Sequence, residues 1–270
     1  MTNQSRHGVD DMLPFVKIYG ERHTSTKFFG RLLADNLANR LLAGVVPRPI
    51  DALAGRFDSL GNRHGRSPYP AGERMKDAWF RATFSQNLGW KHVNPRLDLL
   101  EGEARSARTV FVTLTKNPYA WLVSMFRRPY HRIEDSAATF PDFVSGPWTP
   151  LKREHVPAGH VTPVELWNLK SRSYLRLAER FVAIHICYEE VLWSPNSAIE
   201  RVIEKIRHHP ISTNRPNRRH VHVEIDDRFE RYREYYLSER WRDHLGDADV
   251  AAVAERLDPD LVRRLGYEWL

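Results

Sequence analysis

The residues best equipped for chemistry in this chain stand in three short clusters. Arg22, His23, Thr24, Ser25, Thr26 and Lys27 form an unbroken run of cations and small hydroxyls, Lys91 and His92 stand side by side, and Lys116 opens the tripeptide Lys-Asn-Pro. Cations and hydroxyls at a turn suit a phosphate or sulfate. A histidine with a near-neutral pKa suits proton transfer.

The first cluster lies within FVKIYGERHTSTKFFGRLL, Phe15 to Leu33. Phe15 to Tyr19 is β-branched and aromatic enough for a strand. After Gly20 and the polar run, Phe28, Phe29, Leu32 and Leu33 recur at helical spacing. Strand, polar turn and helix start in that order make an anion site, because free backbone N–H groups and the positive end of the helix dipole converge on the turn. The run is not a regular Walker A loop: Ser25 stands where the second glycine belongs, and Thr26 and Lys27 come in reversed order. An ordinary Ser/Thr N-cap with solvated charges accounts for this loop alone equally well.

A second strand, turn and helix follows at Arg108 to Thr115, Lys116-Asn117-Pro118 and Tyr119 to Phe126. Its apolar, β-branched run is that of a strand buried on both faces, and proline suits the first helical turn. Further on, the pattern predicts a helix opened by Pro163, a strand from Phe181 to Cys187, a helix from about Asn196 to Arg207, and three short helices after Asp226. The alternation argues for an α/β fold with a central parallel sheet flanked by helices and a helical C-terminal tail. Residues 1–13 read as disordered and 14–270 as one domain. Leu88 to Pro95 reads as a brief extended piece, and the first helix as running to about Leu42. The Gly/Pro/Arg-rich excursion at 46 to 76 reads as a lid or substrate-facing insertion, with a plain solvated loop as the alternative. A second such region spans 127 to 162.

The net charge of +7 over 270 residues implies an anionic partner without choosing among nucleic acid, glycan, membrane surface and nucleotide. A single cysteine, Cys187, excludes an internal disulfide framework and fits a reducing compartment; it sits after an apolar run as a small hydrophobe would. With no apolar run long enough to span a bilayer and a polar N-terminus, the expectation is a soluble, cytoplasmic protein. Asp10, Asp11, Glu101 and Glu103 make no metal-ligand pattern, so no metal is expected.

In order along the chain, these pieces resemble the sulfotransferase family. Thr24-Ser25-Thr26-Lys27-Phe28-Phe29 is similar to the family's 5′-phosphosulfate loop, Lys-Ser-Gly-Thr-Thr-Trp-Leu in type, with Ser25 for the glycine and Arg22 or His23 for the cation. Lys91-His92-Val93-Asn94-Pro95 is similar to Lys-Thr-His-Leu-Pro, whose histidine is the catalytic base, although here Lys and His are adjacent. Lys116-Asn117-Pro118 with Ser124 eight positions after the cation resembles the Arg-Asn-Pro and serine that bind the 3′-phosphate, with Lys a point charge where the family has a planar fork. Tyr188-Glu189-Glu190 is similar to a structural Tyr-Glu-Asp turn. The family's C-terminal Arg-Lys-Gly loop is not evident, although Arg218-Arg219 could lend charge there. Ser124 also fits an ordinary helix residue bonding its own backbone.

The resemblance covers Phe15 to Arg207. It implies a P-loop-like fold, 3′-phosphoadenylyl sulfate (PAPS) as co-substrate, Arg22, Lys27 and His92 as catalytic residues, and nucleotide binding by Arg22, His23, Thr24, Ser25, Thr26, Lys27, Phe28, Lys116 and Ser124. The acceptor is a hydroxyl on a small molecule or glycan, and the aromatic, basic excursions suggest a saccharide. The rivals are a P-loop kinase, which needs an acidic residue where Lys116 stands, and a basic nucleic-acid binder, which only the net charge supports and which is not expected.

Overall fold

The computed structural model describes residues 13–61, 69–130, 137–157, 161–212 and 221–270; the expected disorder of the N-terminus and the pair Arg218-Arg219 fall outside them. Three strands form a parallel sheet in the order β1 (Phe15–Gly20), β2 (Thr109–Thr115), β3 (Ala183–Cys187). Gly20 pairs in register with Leu114, and Thr115 with Cys187. All three strands therefore end at one edge, and the turns that follow β1 and β2 are neighbours.

Every residue of β2 is buried, and the alternation of its side chains explains how. Val110, Val112 and Leu114 face helix α1 (Thr26–Asn36) and the later helix Pro195–Arg207 through Phe29, Leu33, Ile199 and Val202. On the other face, Phe111 packs with Tyr19, Leu88, Val93, Tyr174 and Leu177. A sheet covered on both sides requires the near-continuous apolar run seen in the sequence.

Helix α1 ends at Asn36, six residues short of expectation. The Asn36 side chain bonds the carbonyls of Leu32 and His222, and the chain then turns back so that Leu42 N–H donates to Val16 O at 2.8 Å. Leu41 forms a lone parallel bridge to Val16 beside β1.

The excursion at 46 to 76 is not a loop. It holds α2 (Arg48–Gly61) and the first half of α3 (Ala71–Ala82), packed as a pair. Gly72 abuts α2 so closely that a Cβ there would lie 2.4 Å from Ala54 O. Ile50, Leu53, Ala54 and Phe57 carry a helical repeat that the surrounding Gly, Pro and Arg obscure. After α4 (Phe84–Asn87), residues 88–92 form a turn instead of an extended piece: Leu88 has φ 58° and Gly89 φ 90°. Helix α5 (Leu97–Glu101) leads into β2.

Helix α6 (Pro118–Arg127) begins directly after β2, with Asn117 as its cap, the side chain accepting from the N–H groups of Tyr119 and Ala120. It packs with α7 (Phe140–Ser145), α8 (Pro163–Arg176) and the C-terminal segment in a core that includes Trp121, Met125, Trp167 and Trp241. Beyond β3 come α9 (Tyr188–Trp193), α10 (Pro195–Arg207), α11 (Asp227–Leu237), α12 (Asp247–Ala254) and α13 (Pro259–Arg264). Among the described residues no helix is long and apolar enough to cross a membrane.

Gly20 marks the point where β1 meets its turn. A Cβ there would lie 2.8 Å from Leu114 Cβ and Thr26 Cγ2 and 2.9 Å from Thr24 Oγ1, so Gly20→Ala should cost about 1–3 kcal/mol of stability through overpacking. Denaturant unfolding of the variant checks this, and an unchanged midpoint would contradict the packing described.

Candidate anion and proton-transfer site

The turn after β1 is shaped by two residues in the left-handed region, His23 at φ 62° and Ser25 at φ 58°. A non-glycine residue pays for that conformation, and Ser25 occupies the position where a phosphate-binding loop carries glycine. Thr24 Oγ1 donates to Glu21 O at 2.6 Å and closes the turn. The result leaves the N–H groups of Ser25, Thr26, Lys27 and Phe28 without an acceptor among the described residues, at the positive end of α1.

Two lysines stand near this helix start. Lys27 is exposed and Lys91 half-buried. Burial and the charge of Lys27 push the Lys91 ammonium below its ordinary range, and neither lysine has a carboxylate partner among the described residues. Like charges without a carboxylate partner beside free N–H groups make a setting that suits an anion.

Arg22 is placed otherwise than the sequence reading expects. Its guanidinium is 4% exposed and donates to Glu154 at 2.9 Å and Glu21 at 3.2 Å. Lys170 donates to the same two carboxylates and to His92 O at 2.8 Å. Two cations and two carboxylates thus form a closed, neutral, buried network, so Arg22 has its charge matched from within. Glu154, from the second aromatic-rich region, gave no local sequence signal, since its partners lie 16 and 132 positions away. Burial favours the neutral form of the Glu154 carboxyl, but Arg22 and Lys170 overcome this and hold it far below the ordinary carboxylate range.

His92 is buried against this network. Its Nδ1 lies 2.5 Å from Gly20 O, a carbonyl that can only accept, so Nδ1 carries the proton and Nε2 keeps a lone pair. The Trp90 ring meets the imidazole edge-on with centroids 4.9 Å apart. That indole also lies between the guanidinium groups of Arg22 at 5.1 Å and Arg153 at 4.4 Å. Burial, with the charges of Arg22, Lys91 and Lys170, pushes the His92 pKa well below its ordinary value. These effects favour the neutral imidazole, the form that accepts a proton.

Lys116 and Ser124 meet: Nζ donates to Ser124 Oγ at 2.9 Å. Burial lowers the Lys116 pKa to about 7 against the opposing charge of Glu189. The ring of Tyr236, on α11, covers the ammonium at 3.6 Å, and its hydroxyl lies 3.2 Å from Ser124 Oγ. Nothing in the sequence near Lys116 signalled this cover. His23, in the first turn, reaches the end of α6, with Nε2 donating to Arg128 O at 3.1 Å. Burial, reinforced by Lys116, Arg22 and Arg128, lowers its pKa to about 4.

The two turns are joined internally as well as by strand register. A cavity of about 10 Å³ is lined by Glu21 and Thr24 from one and Thr115 and Lys116 from the other. Trp121 Nε1 donates to Arg22 O at 2.9 Å and Trp167 Nε1 to Lys116 O at 3.1 Å, one indole bracing each turn. Burial pushes the Cys187 thiol up to about 12, which disfavours the nucleophilic thiolate. Among the described residues no group of three or more His, Cys, Asp or Glu side chains is placed to hold a metal ion.

No protein-family profile matches this chain, and no curated protein matches its sequence. Among solved structures it is similar to a sulfotransferase domain from the curacin biosynthetic pathway, with 12% identity over 96% of this chain and 98% of that one and a TM-score of 0.42. It is also similar to a sulfotransferase from Alicyclobacillus acidocaldarius, with 12% identity over 94% and 96% and a TM-score of 0.39. Likeness at this level carries no argument about activity, which has to rest on the residues of the chain itself.

Because the Glu154 carboxylate is held below its unfolded pKa, its contribution to stability is present above the ordinary value of 4.5 and lost as the pH falls through the folded value. Glu154→Gln should cost about 3–5 kcal/mol near neutral pH by leaving Arg22 and Lys170 under-compensated. It should also flatten the fall in melting temperature below about pH 4.5. Thermal unfolding across pH checks both, and an acid limb as steep as that of the unmodified protein would contradict the assignment.

Proposed function

We propose that the protein transfers a sulfuryl group from PAPS to a hydroxyl group of an acceptor. The observation that carries the reading is the pairing of two anion-binding turns at one sheet edge, with the proton-accepting histidine fastened to the first of them. Gly20 and Leu114 are register partners, Lys116 and Ser124 touch at 2.9 Å, and His92 is anchored to Gly20 O at 2.5 Å.

In this reading the 5′ end of the nucleotide rests on the N–H groups of Ser25 to Phe28 and between Lys27 and Lys91. The 3′-phosphate is held by Lys116 and Ser124. Sulfuryl transfer is taken to resemble phosphoryl transfer, in which negative charge is spread over equatorial oxygens and builds on the leaving oxygen. Fixed N–H groups and ammonium groups answer that charge without reorganising, and loss of one such donor costs about 3 kcal/mol in the barrier. His92 Nε2 takes the proton of the acceptor hydroxyl; its lone pair is free for this, while a pKa held below the ordinary value makes it a weaker base than a near-neutral imidazole. Arg22 then acts by holding Glu21, Glu154 and the turn in place, and Lys91 takes over the direct role expected of it. Access to Lys116 requires the Tyr236 ring to turn aside, at a cost of about 2 kcal/mol of cation–π attraction.

The acceptor is proposed only as a hydroxyl compound. The composition of the excursions suggests a saccharide; Phe140, Phe143 and Trp148 are buried in packing, whereas Phe57 and Tyr130 stay exposed and offer rings to stack on. Lys116 at the tip of β2, where a kinase needs an acidic residue for Mg²⁺, weighs against the kinase reading.

Calorimetric titration with 3′-phosphoadenosine 5′-phosphate tests the proposal. Binding should be saturable, and Lys116→Ala should weaken it about tenfold to a hundredfold, the worth of a charge-assisted hydrogen bond. His92→Ala should leave that affinity nearly unchanged while cutting turnover about 100-fold or more. No affinity for the nucleotide, with salt-steep binding to random oligonucleotides instead, would overturn the reading.

A further inference from the structure

Lys17 belongs to none of the three clusters, yet it is the least expected charge in the protein. It lies in the middle of β1, fully buried, within a sheet face otherwise occupied by Tyr19, Phe111 and Leu88. Its ammonium donates to three carbonyls, Ala43 O at 2.8 Å, Asn87 O at 2.6 Å and Gly89 O at 2.5 Å. Tyr19, two residues on and so on the same face, donates to the intervening carbonyl, Leu88 O, at 2.5 Å. Three successive carbonyls of one turn are thus gathered onto two side chains of one strand.

Carbonyls that all point one way impose an unusual backbone. Leu88 and Gly89 both take positive φ, and Asn87 Oδ1 accepts the Gly89 N–H at 2.7 Å. Burial opposes charge on Lys17. However, three carbonyls match the three N–H groups of an ammonium, whereas a neutral amine would turn its lone pair toward one of them. The charged form is thereby favoured by its partners and its removal would leave three buried acceptors short of donors.

The turn held in this way runs directly into Trp90, Lys91 and His92. Two further bonds fix its exit: Lys91 N–H donates to Gly44 O at 3.1 Å and Gly20 N–H to Lys91 O at 2.9 Å. With Lys91 O committed to Gly20 N–H, the next side chain is set for Nδ1 to meet Gly20 O. We propose that Lys17 and Tyr19 are positioning residues that fix the 87–92 turn and, through it, the tautomer and aim of the His92 imidazole. The catalytic meaning of this arrangement rests on the reading of His92 as a base, whereas the arrangement itself is measurable on the imidazole.

The test is nitrogen NMR of the full chain with ¹⁵N-labelled histidine, the His92 signals being identified by their loss in His92→Gln. The unmodified protein should show His92 as one neutral tautomer with the proton on Nδ1, persisting well below the ordinary pKa of 6.5 under the charges of Arg22, Lys91 and Lys170 that face it. In Lys17→Met the population of the Nε2–H tautomer relative to Nδ1–H should rise about tenfold, as loss of about 1.4 kcal/mol of positioning would give. The titration should also move toward the ordinary value. Tyr19→Phe, which removes only the bond to Leu88 O, should shift both in the same direction by less, and it decides the matter if Lys17→Met fails to fold. A folded variant of either kind with the His92 signals unmoved overturns the proposal, as does a mixed tautomer in the unmodified protein. Titrating the same samples with 3′-phosphoadenosine 5′-phosphate separates the two claims: absence of nucleotide binding removes the transferase reading, while the tautomer result stands or falls independently.

Discussion

The buried network of Glu21, Arg22, Glu154 and Lys170 is the constraint on which the remaining structure depends. Four ionised groups are withdrawn from water, each at a desolvation cost of several kcal/mol, and the cost is offset because every charge meets an opposite one from a different part of the chain. Glu21 and Arg22 come from the turn after β1, Glu154 from the segment before α8, and Lys170 from α8 itself. The network thereby fixes the turn relative to the helix that packs on β2. Its fifth attachment, Lys170 to His92 O, extends the same constraint to the candidate base. Removing one member of such a network leaves a buried charge uncompensated, so the turn and the candidate base are tied to the same four side chains.

Around this neutral core stand further basic groups, of which Lys116 faces the Glu189 carboxyl. His23, Lys91, His92 and Lys116 each have a pKa driven down, first by burial and, for the first three, by neighbouring cations as well. Two of them are histidines made neutral, and two are lysines with weakened hold on their protons. An anion placed among them would oppose these shifts. The Tyr236 ring lies over Lys116 at 3.6 Å as its cation–π partner.

Much of the fold was legible because it depends on local pattern. The β2 run, Pro118 and Pro163 at helix starts, and the three C-terminal helices follow from hydrophobic periodicity and proline placement. What the sequence hid depends on distant partners or on backbone strain. Leu88 gives no sign of a positive φ, and α2 is masked by its own Gly and Arg residues. Arg22 reads as an exposed cation until Glu154, 132 positions away, is seen beside it. Lys17 passes as one more residue of the strand Phe15 to Tyr19 until the three carbonyls appear. In the candidate site, the neighbourhood of the turns followed from two adjacent strand ends, whereas the division of labour among the cations required the ion-pair geometry.

The central claim is that both turns grip a single adenine nucleotide, and a crystal structure of the protein with 3′-phosphoadenosine 5′-phosphate tests it most directly. The account predicts the 5′-phosphate against the N–H groups of Ser25 to Phe28, the 3′-phosphate against Lys116 and Ser124, and the Tyr236 ring turned away. A nucleotide bound elsewhere, or held at the first turn with Tyr236 still seated on Lys116, would contradict it.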